Sequence, residues 1–285
     1  MSNETIIDGY YLFASSIAAL VARTITHPLD TIKTRIQTSS KGTNLLKQVI
    51  FPTNAHKLTS LYRGLPVTLL FSVPALSVYL TCYESTKQVL DRHYHIDRHS
   101  VYSHLISGCF AEVAAGTLFT PMEVLKNRLQ TQRGESNNRV LISHIFKQEG
   151  IRGFYRGYVM GLVVFVPHSM AYFVTYEKLK QYFLHDKSNK FHMYMLCSSL
   201  AGVTSIMVST PLDIIKTRWQ ISAAEYGKQY RLGPMSIATQ MMREGKGAFT
   251  RGLWARIAWG IPTTTISMTV FELLKDNKNT LFPPS

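Results

Sequence analysis

The sequence has few acidic residues and few cysteines for its length. Its 285 residues include 17 Asp and Glu against 31 Lys and Arg, so the formal net charge is +14. The three cysteines, Cys82, Cys109 and Cys197, lie inside apolar runs without metal-ligand spacing, which predicts buried free thiols rather than disulfides. A nucleophile constellation and a phosphate-cradling loop are also missing. We therefore expect no enzyme activity, no cofactor and no bound metal.

Runs of basic residues and a leader-like segment are missing as well. The positive charge is dispersed, without the aromatic interleaving of a nucleic-acid site, so a soluble nucleic-acid binder is the weaker interpretation. An anionic lipid surface or an anionic solute explains the charge equally well. The first eleven residues, MSNETIIDGYY, contain acids and no arginine, which is typical of neither a transit peptide nor a secretory signal.

The chain does contain one eleven-residue pattern three times. The copies occupy residues 27–37, 120–130 and 210–220, and each reads Pro-x-acid-x-x-Lys-x-Arg-x-Gln. Their prolines, 93 and 90 residues apart (121 − 28 and 211 − 121), are Pro28, Pro121 and Pro211. A period of that size predicts one supersecondary unit used three times. One copy alone would fit the capped end of a soluble helix, but three copies in register behind apolar runs argue against that interpretation.

An apolar run of about twenty residues precedes each proline, long enough to cross the hydrocarbon core of a membrane. These runs cover residues 8–27, 101–120 and 191–210. We expect the proline to kink each helix, and the acid and the base three positions apart to share one face. Three copies around an axis would then form a ring of three acids and three bases. The expected pairs are Lys33 with Asp213, Lys126 with Asp30, and Lys216 with Glu123.

Three further apolar stretches alternate with these runs, at about 65–90, 158–182 and 253–277. Each follows a basic residue and a glycine, which are Arg63-Gly64, Arg156-Gly157 and Arg251-Gly252. Positive charge and free N–H groups at a helix start suit a phosphate, although a plain helix-start turn explains the same pattern. Each stretch ends on aromatic-acid-x-x-Lys, in the triplets Tyr83, Glu84 and Lys87; Tyr176, Glu177 and Lys180; and Phe271, Glu272 and Lys275.

With these motifs the chain resembles the mitochondrial carrier family over nearly its whole length. The resemblance implies an all-α membrane protein with six transmembrane helices in three pseudo-symmetric helix pairs around a central cavity. The three repeats would cover residues 1–97, 98–187 and 188–285. It further implies a monomeric, multi-pass protein of the mitochondrial inner membrane that moves a small solute between two salt-bridge gates, by exchange or along a gradient.

The resemblance also implies roles for the repeated residues. The first ring would be the matrix-side gate, braced by Gln37, Gln130 and Gln220. The second ring would be the cytoplasmic-side gate, with the pairs Lys87–Glu177, Lys180–Glu272 and Lys275–Glu84 and with Tyr83 and Tyr176 as braces. The three basic-glycine sites would bind cardiolipin. The second and third sites follow Glu149-Gly150 and Glu244-Gly245, whereas the first repeat has His56-Lys57 there.

The contacts to the solute are harder to predict. A transporter built from repeats usually binds its substrate near the midplane, and the resemblance places the contacts seven or eight residues after each glycine. Those positions include Phe71, Val164, Phe165 and Trp259, and they are mostly apolar or aromatic. The aromatic rings could stack on a planar or cationic group or could only pack.

Three charged residues complete the candidate site. Arg23 lies midspan, where a charge is by default functional or paired, although a purely structural arginine is the alternative. Glu112 could pair with Arg23, bind a cationic part of the solute, or carry a proton; Arg256 could be structural. One acid, one base and aromatics favour a zwitterionic or cofactor-like solute or a nucleotide. The alternatives are a carrier of a carboxylate, an amino acid or a metal ion, and a carrier-like protein without transport, which the complete set of gate residues disfavours.

Overall fold

Six long helices dominate the computed structural model, which describes residues 9–38, 59–98, 100–131, 138–183, 190–221 and 233–276. They are α1 (Gly9–Thr38), α2 (Leu65–Tyr94), α3 (Val101–Thr131), α4 (Tyr158–Phe183), α5 (Lys190–Ile221) and α6 (Leu253–Asp276). Within those ranges there is no β-strand. The predicted all-α fold with six long helices is confirmed.

Short elements join the odd helices to the even ones. They are the 3₁₀ turns Thr59–Tyr62 and Lys246–Ala248 and the short helices Asn138–Glu149, Ile151–Phe154 and Pro234–Glu244. The helix Asn138–Glu149 ends on the glutamate that precedes Gly150. His56-Lys57 of the first repeat lies outside the described residues.

The six helices form a closed ring. Each helix contacts the next along the chain, and α6 contacts α1. The three odd helices α1, α3 and α5 also contact one another. Because all three carry the repeated motif toward their C-terminal ends, this convergence brings the motif residues together.

The motif prolines do not end their helices. α1, α3 and α5 each continue through the proline to the glutamine of the motif. Each even helix also contains a proline ten residues after the repeated glycine, a regularity that the sequence analysis left unused. These prolines are Pro74, Pro167 and Pro262.

Small residues line the odd helices at four-residue spacing. On α1 they are Ala14, Ala18 and Ala22; on α3, Ser103, Ser107, Ala111 and Ala115; on α5, Cys197, Ala201, Ser205 and Ser209. All of them are at most 1% exposed, and small side chains at this spacing allow membrane helices to approach closely. All three thiols were expected to be buried. Cys197 is buried, whereas Cys82 and Cys109 are half-buried.

Four helical stretches of the described residues are long and apolar enough to cross a membrane, namely Thr59–Tyr94, Val101–Thr131, Ile151–Phe183 and Leu196–Ile221. Large apolar side chains such as Leu70, Phe110 and Met207 are more than half exposed, as contact with lipid requires. The first and last long helices, α1 and α6, are not among these four stretches, and they close the ring by contacting each other.

Gly116 on α3 provides a test of the close packing between α3 and α4. A Cβ atom there would lie 2.7 Å from the Tyr158 ring, whose hydroxyl donates to the Val113 carbonyl oxygen at 2.7 Å. We expect Gly116→Ala to destabilise the protein by about 1–3 kcal/mol, because overpacking displaces the ring. The measurement is thermal unfolding of the purified protein in detergent.

Gly202 on α5 supplies the matched control, because a Cβ atom there would meet nothing within 4 Å. Gly202→Ala should leave stability unchanged or raise it, since alanine favours a helix over glycine. Equal losses in the two variants would contradict the packing described here.

Candidate functional site

The acids and bases of the three motifs meet where the odd helices converge. Lys126 Nζ lies 2.9 Å from Asp30 Oδ2, and Lys216 Nζ lies 2.6 Å from Glu123 Oε2. The first pair joins α3 to α1 and the second joins α5 to α3. Two of the three expected pairs are therefore present.

The third pair differs from the expectation. Asp213 Oδ2 lies 3.3 Å from Arg256 Nη1, and Lys33 Nζ lies 4.4 Å from the centroid of the Trp259 ring. Among the described side chains no ion pair joins Lys33 to Asp213, so that predicted pair is wrong. The reason is that Arg256, whose long side chain extends from α6, pairs with the Asp213 carboxylate in place of Lys33.

The three motif glutamines bind the three acids. Each donates through Nε2 to one carboxylate oxygen: Gln130 to Asp30 at 3.2 Å, Gln220 to Glu123 at 3.1 Å, and Gln37 to Asp213 at 3.2 Å. The arrangement is threefold even though the third cation is different. The three glutamines therefore have the geometry expected of braces, and their role in a gate stays a prediction.

The motif arginines form a further ring, which the sequence analysis did not assign. Through Nε, each donates to the backbone carbonyl of a brace glutamine on a neighbouring odd helix: Arg35 to Gln130 at 2.9 Å, Arg128 to Gln220 at 2.9 Å, and Arg218 to Gln37 at 3.1 Å. These bonds fix the backbone that carries the braces. The recurrence of arginine at one offset in all three motifs was the signal that could have identified this ring.

Two of these arginines also donate through their Nη atoms to a glutamate that precedes an even helix in the sequence. Arg128 makes two bonds to Glu149, at 2.6 and 3.0 Å, and Arg218 makes two to Glu244, at 2.9 and 3.2 Å. The side chains of Arg128 and Arg218 are at most 1% exposed. A charge so deeply buried needs a paired, hydrogen-bonded partner. In the first repeat, Arg35 Nη2 instead donates to the Ser60 carbonyl at 3.0 Å.

The basic-glycine sites pack directly onto this network. Gly64, Gly157 and Gly252 have φ of 84°, 91° and 83°, a left-handed conformation that favours glycine. A Cβ atom on Gly157 or Gly252 would lie within about 3 Å of the side chain of Gln220 or Gln37, respectively.

Two of the arginines at these sites contact the glutamates described above. Arg156 lies 3.2 Å from Glu149 and Arg251 lies 3.3 Å from Glu244. At the first site the Arg63 carbonyl oxygen lies 3.0 Å from His27 Nε2. The expected role of Arg63, Arg156 and Arg251 in lipid binding stays a prediction.

The second charged ring, at the C-terminal ends of the even helices, is arranged differently. Lys87 Nζ lies 5.1 Å from the centroid of the Tyr83 ring, and Glu84 pairs with Arg98 at 3.3 Å. In the described part of the chain no ion pair joins Lys87 to Glu177, so this expected pair is not made. The side chains of Glu272 and Lys275 lie outside the described residues, and with them the pairs Lys180–Glu272 and Lys275–Glu84.

The two tyrosines expected as braces have aromatic neighbours instead. The Tyr83 hydroxyl hydrogen-bonds to His104 Nδ1, and Tyr176 stacks on Tyr172 with ring centroids 6.0 Å apart. Two ion pairs thus join the odd helices at the first ring, whereas Lys87 and Glu177, the one pair of the second ring with both side chains described, are apart.

The aromatic candidates for the solute site divide into two groups. Phe71 packs against an apolar cluster that includes Leu125 and Leu129 of α3, and the Phe165 ring faces Gly108. These contacts support the packing alternative for both phenylalanines. Trp259 holds the Lys33 ammonium on its face, and Val164 is half-buried on α4.

Arg23 and Glu112 do not meet. The carboxylates that act most strongly on Arg23 are Asp30 and Glu123, whereas the charges acting on Glu112 are Glu123 and Lys216. No ion pair connects Arg23 with Glu112 among the described side chains, so the first of the three roles considered for Glu112 is wrong. Both residues lie near the acids of the network and not against each other.

Comparison with known proteins gives a consistent match. The sequence profile described as Mitochondrial carrier protein matches residues 9–94, 97–187 and 187–280. An uncharacterized mitochondrial carrier of Schizosaccharomyces pombe is 37% identical over 94% of this chain and 98% of its own length. Mitochondrial substrate carrier family protein E of Dictyostelium discoideum is 32% identical, covering 96% and 98%. Mitoferrin-1 of Homo sapiens is 26% identical, covering 93% and 82%.

The buried arginine–glutamate pairs generate a stability prediction. We expect Glu149→Gln and Glu244→Gln each to destabilise the protein by about 3–5 kcal/mol, because each leaves a buried guanidinium without its counter-charge. Thermal unfolding in detergent measures the loss. Asp91→Asn, at an exposed acid of α2, is the control and should change stability by less than about 0.5 kcal/mol. A loss in the control as large as in the two variants would refute this account of the pairs.

Proposed function

The chain belongs to the mitochondrial carrier family, and from that membership we propose that it moves a small solute across the mitochondrial inner membrane by alternating access. The network between the odd helices is its matrix-side gate, and the ring at the ends of the even helices is its cytoplasmic-side gate. The single observation that supports this most is that the ion pairs Lys126–Asp30 and Lys216–Glu123 join all three odd helices at one end of the ring. An alternating transporter closes one end of its pathway while the other is open.

The charges at and beside the first ring favour a solute that carries both signs. Lys33 lies on the Trp259 ring, and Arg256 lies three residues before Trp259 on α6. Glu112 on α3 has the opposite charge, and Lys216 is the cation that acts on it. Cations beside an indole suit an anionic or planar group, and the carboxylate suits a cationic one. We therefore propose a zwitterionic metabolite, a cofactor-like molecule or a nucleotide as the solute.

A metal ion is the second candidate, and it is favoured by the similarity to Mitoferrin-1, a relative whose name refers to iron. Within the described residues no group of three or more His, Cys, Asp or Glu is placed to hold a metal ion. The metal candidate therefore depends on the relative alone, and the experiment below distinguishes it.

Lipid binding is a further part of the proposal. The even helices α2, α4 and α6 begin one residue after Gly64, Gly157 and Gly252. The N–H groups of Tyr158 and Leu253 donate to the carbonyl oxygens of Tyr155 and Thr250, so an anion would take the remaining N–H groups of the first turn. Such helix starts suit a phosphate group of cardiolipin. The protein would work as a monomer, because the ring of six helices is closed within one chain.

Uptake by the purified protein in liposomes tests the function. We expect saturable uptake of one of five labelled probes: AMP, NAD⁺, glutamate, malate or Fe²⁺. The control is Lys126→Gln, which removes the cation of the Asp30 pair and should change the transport rate, because the gate loses a buried pair. Uptake of AMP, NAD⁺ or glutamate supports the solute class proposed here, and uptake of Fe²⁺ alone supports the metal candidate. No uptake of any probe by folded protein would contradict the proposal.

The role of Glu112 is tested with whichever of the five probes is taken up. If its carboxylate binds a cationic part of that probe, Glu112→Gln should raise the KM about tenfold or more, because one charge-assisted hydrogen bond is lost. Arg23→Ala tests the opposite charge in the same assay, and Asp91→Asn is the control. Unchanged KM values in both variants would remove Arg23 and Glu112 from the solute site.

A further inference from the structure

The three links of the network do not connect the same kinds of helices. The pairs Lys126–Asp30 and Lys216–Glu123 each join two odd helices that belong to different repeats. The pair Arg256–Asp213 joins α6 to α5, which belong to the same repeat. Only hydrogen bonds of Gln37, to the Asp213 carboxylate and from Arg218, are described across the seam between α1 and α5.

The repeat symmetry explains how this difference arises. The position four residues after the repeated glycine is Thr68 in the first repeat, Gly161 in the second and Arg256 in the third. A Cβ atom on Gly161 would lie 3.5 Å from Lys216 Nζ, so Lys216, the motif lysine of the third repeat, occupies the space beside the even helix of the second repeat. The equivalent space in the third repeat is taken by the guanidinium of Arg256.

The contacts of Arg256 fix it in that place. Its Nη1 atom donates to Thr210 Oγ1 at 3.3 Å and lies 3.3 Å from Asp213 Oδ2. Its side chain is 11% exposed, and that of Asp213 is 17% exposed. The pair is therefore largely removed from water, as are the other two pairs of the network.

Lys33 is displaced but stays close to the same carboxylate. Asp213 is the carboxylate that acts most strongly on Lys33, followed by Asp30. Its ammonium contacts the Trp259 ring, three residues along α6 from Arg256. Lys33 can therefore return to Asp213 if the guanidinium is removed.

We propose that Arg256 supplies the third cation of the gate and that Lys33 is held in reserve on Trp259. Arg256 is thus a positioning residue for Asp213, and the seam between α1 and α5 is closed without an ion pair. The proposal uses the gate of the proposed function, but its test needs no transported solute. A negative uptake experiment therefore leaves it testable, and its own failure leaves the uptake experiment intact.

The experiment compares the thermal unfolding of full-length variants in detergent without solute. Lys126→Gln, Lys216→Gln and Arg256→Gln should each lower the Tm by roughly 6–20 °C, because each leaves a buried carboxylate without its cation. Lys33→Gln should lower it by less than half as much. In the Arg256→Gln background, however, Lys33→Gln should lower the Tm by clearly more than it does in the parent, because the reserve cation is then in use.

Two further variants keep the test decisive if Arg256→Gln does not fold. Arg256→Lys should retain most of the parent Tm, since the charge is conserved. In the Asp213→Asn background, exchanging Arg256 for glutamine should have little additional effect, because the partner is already gone. The proposal would be overturned if the three motif lysine variants lowered the Tm equally while Arg256→Gln left it unchanged. It would also be overturned if the Tm changes of Lys33→Gln and Arg256→Gln were simply additive in the double variant.

Discussion

The buried ion pairs between the odd helices set the conditions that the surrounding structure has to meet. Asp30 is 4% exposed, and a carboxylate so far from water is tolerated only when it is paired and hydrogen-bonded. The glutamine braces, the arginine ring behind them and the glycines that let the even helices approach all serve this requirement. The threefold arrangement follows from it, because each acid depends on a cation and an amide supplied by another helix.

Some buried polar atoms of this network nevertheless lack a hydrogen-bond partner. Within the described part of the chain, Asp30 Oδ1, Gln37 Oε1 and Gln130 Oε1 are buried without a hydrogen-bond partner from the protein. A solute that shifts the equilibrium must still bind the open or occluded state more tightly than the closed one, because a ligand contributes only its differential affinity.

The fold and most of the network could be predicted from sequence, because they are encoded three times. The recurrence of Pro28, Asp30, Lys33 and Gln37 at fixed offsets identified the helices, the ring and the braces together. Arg256 could not be placed in the same way, because it occurs in one repeat only and its length decides which carboxylate it reaches. The separation of Lys87 and Glu177 could not be predicted either, since both residues are present in the sequence whether or not they pair. The candidate solute site consists of single residues such as Glu112, each present in one repeat only. The repeated pattern therefore does not predict their contacts.

The most direct test of the central claim is the accessibility of the solute level from each side of the membrane. Glu112→Cys, in a chain whose native cysteines are replaced, would be labelled with a membrane-impermeant maleimide in oriented membranes without solute. If the network closes one end of the pathway, as proposed, labelling should occur from the face opposite the network and not from the face beside it. Labelling from both faces at similar rates would contradict the account, because the ion pairs between the odd helices would then not close the pathway.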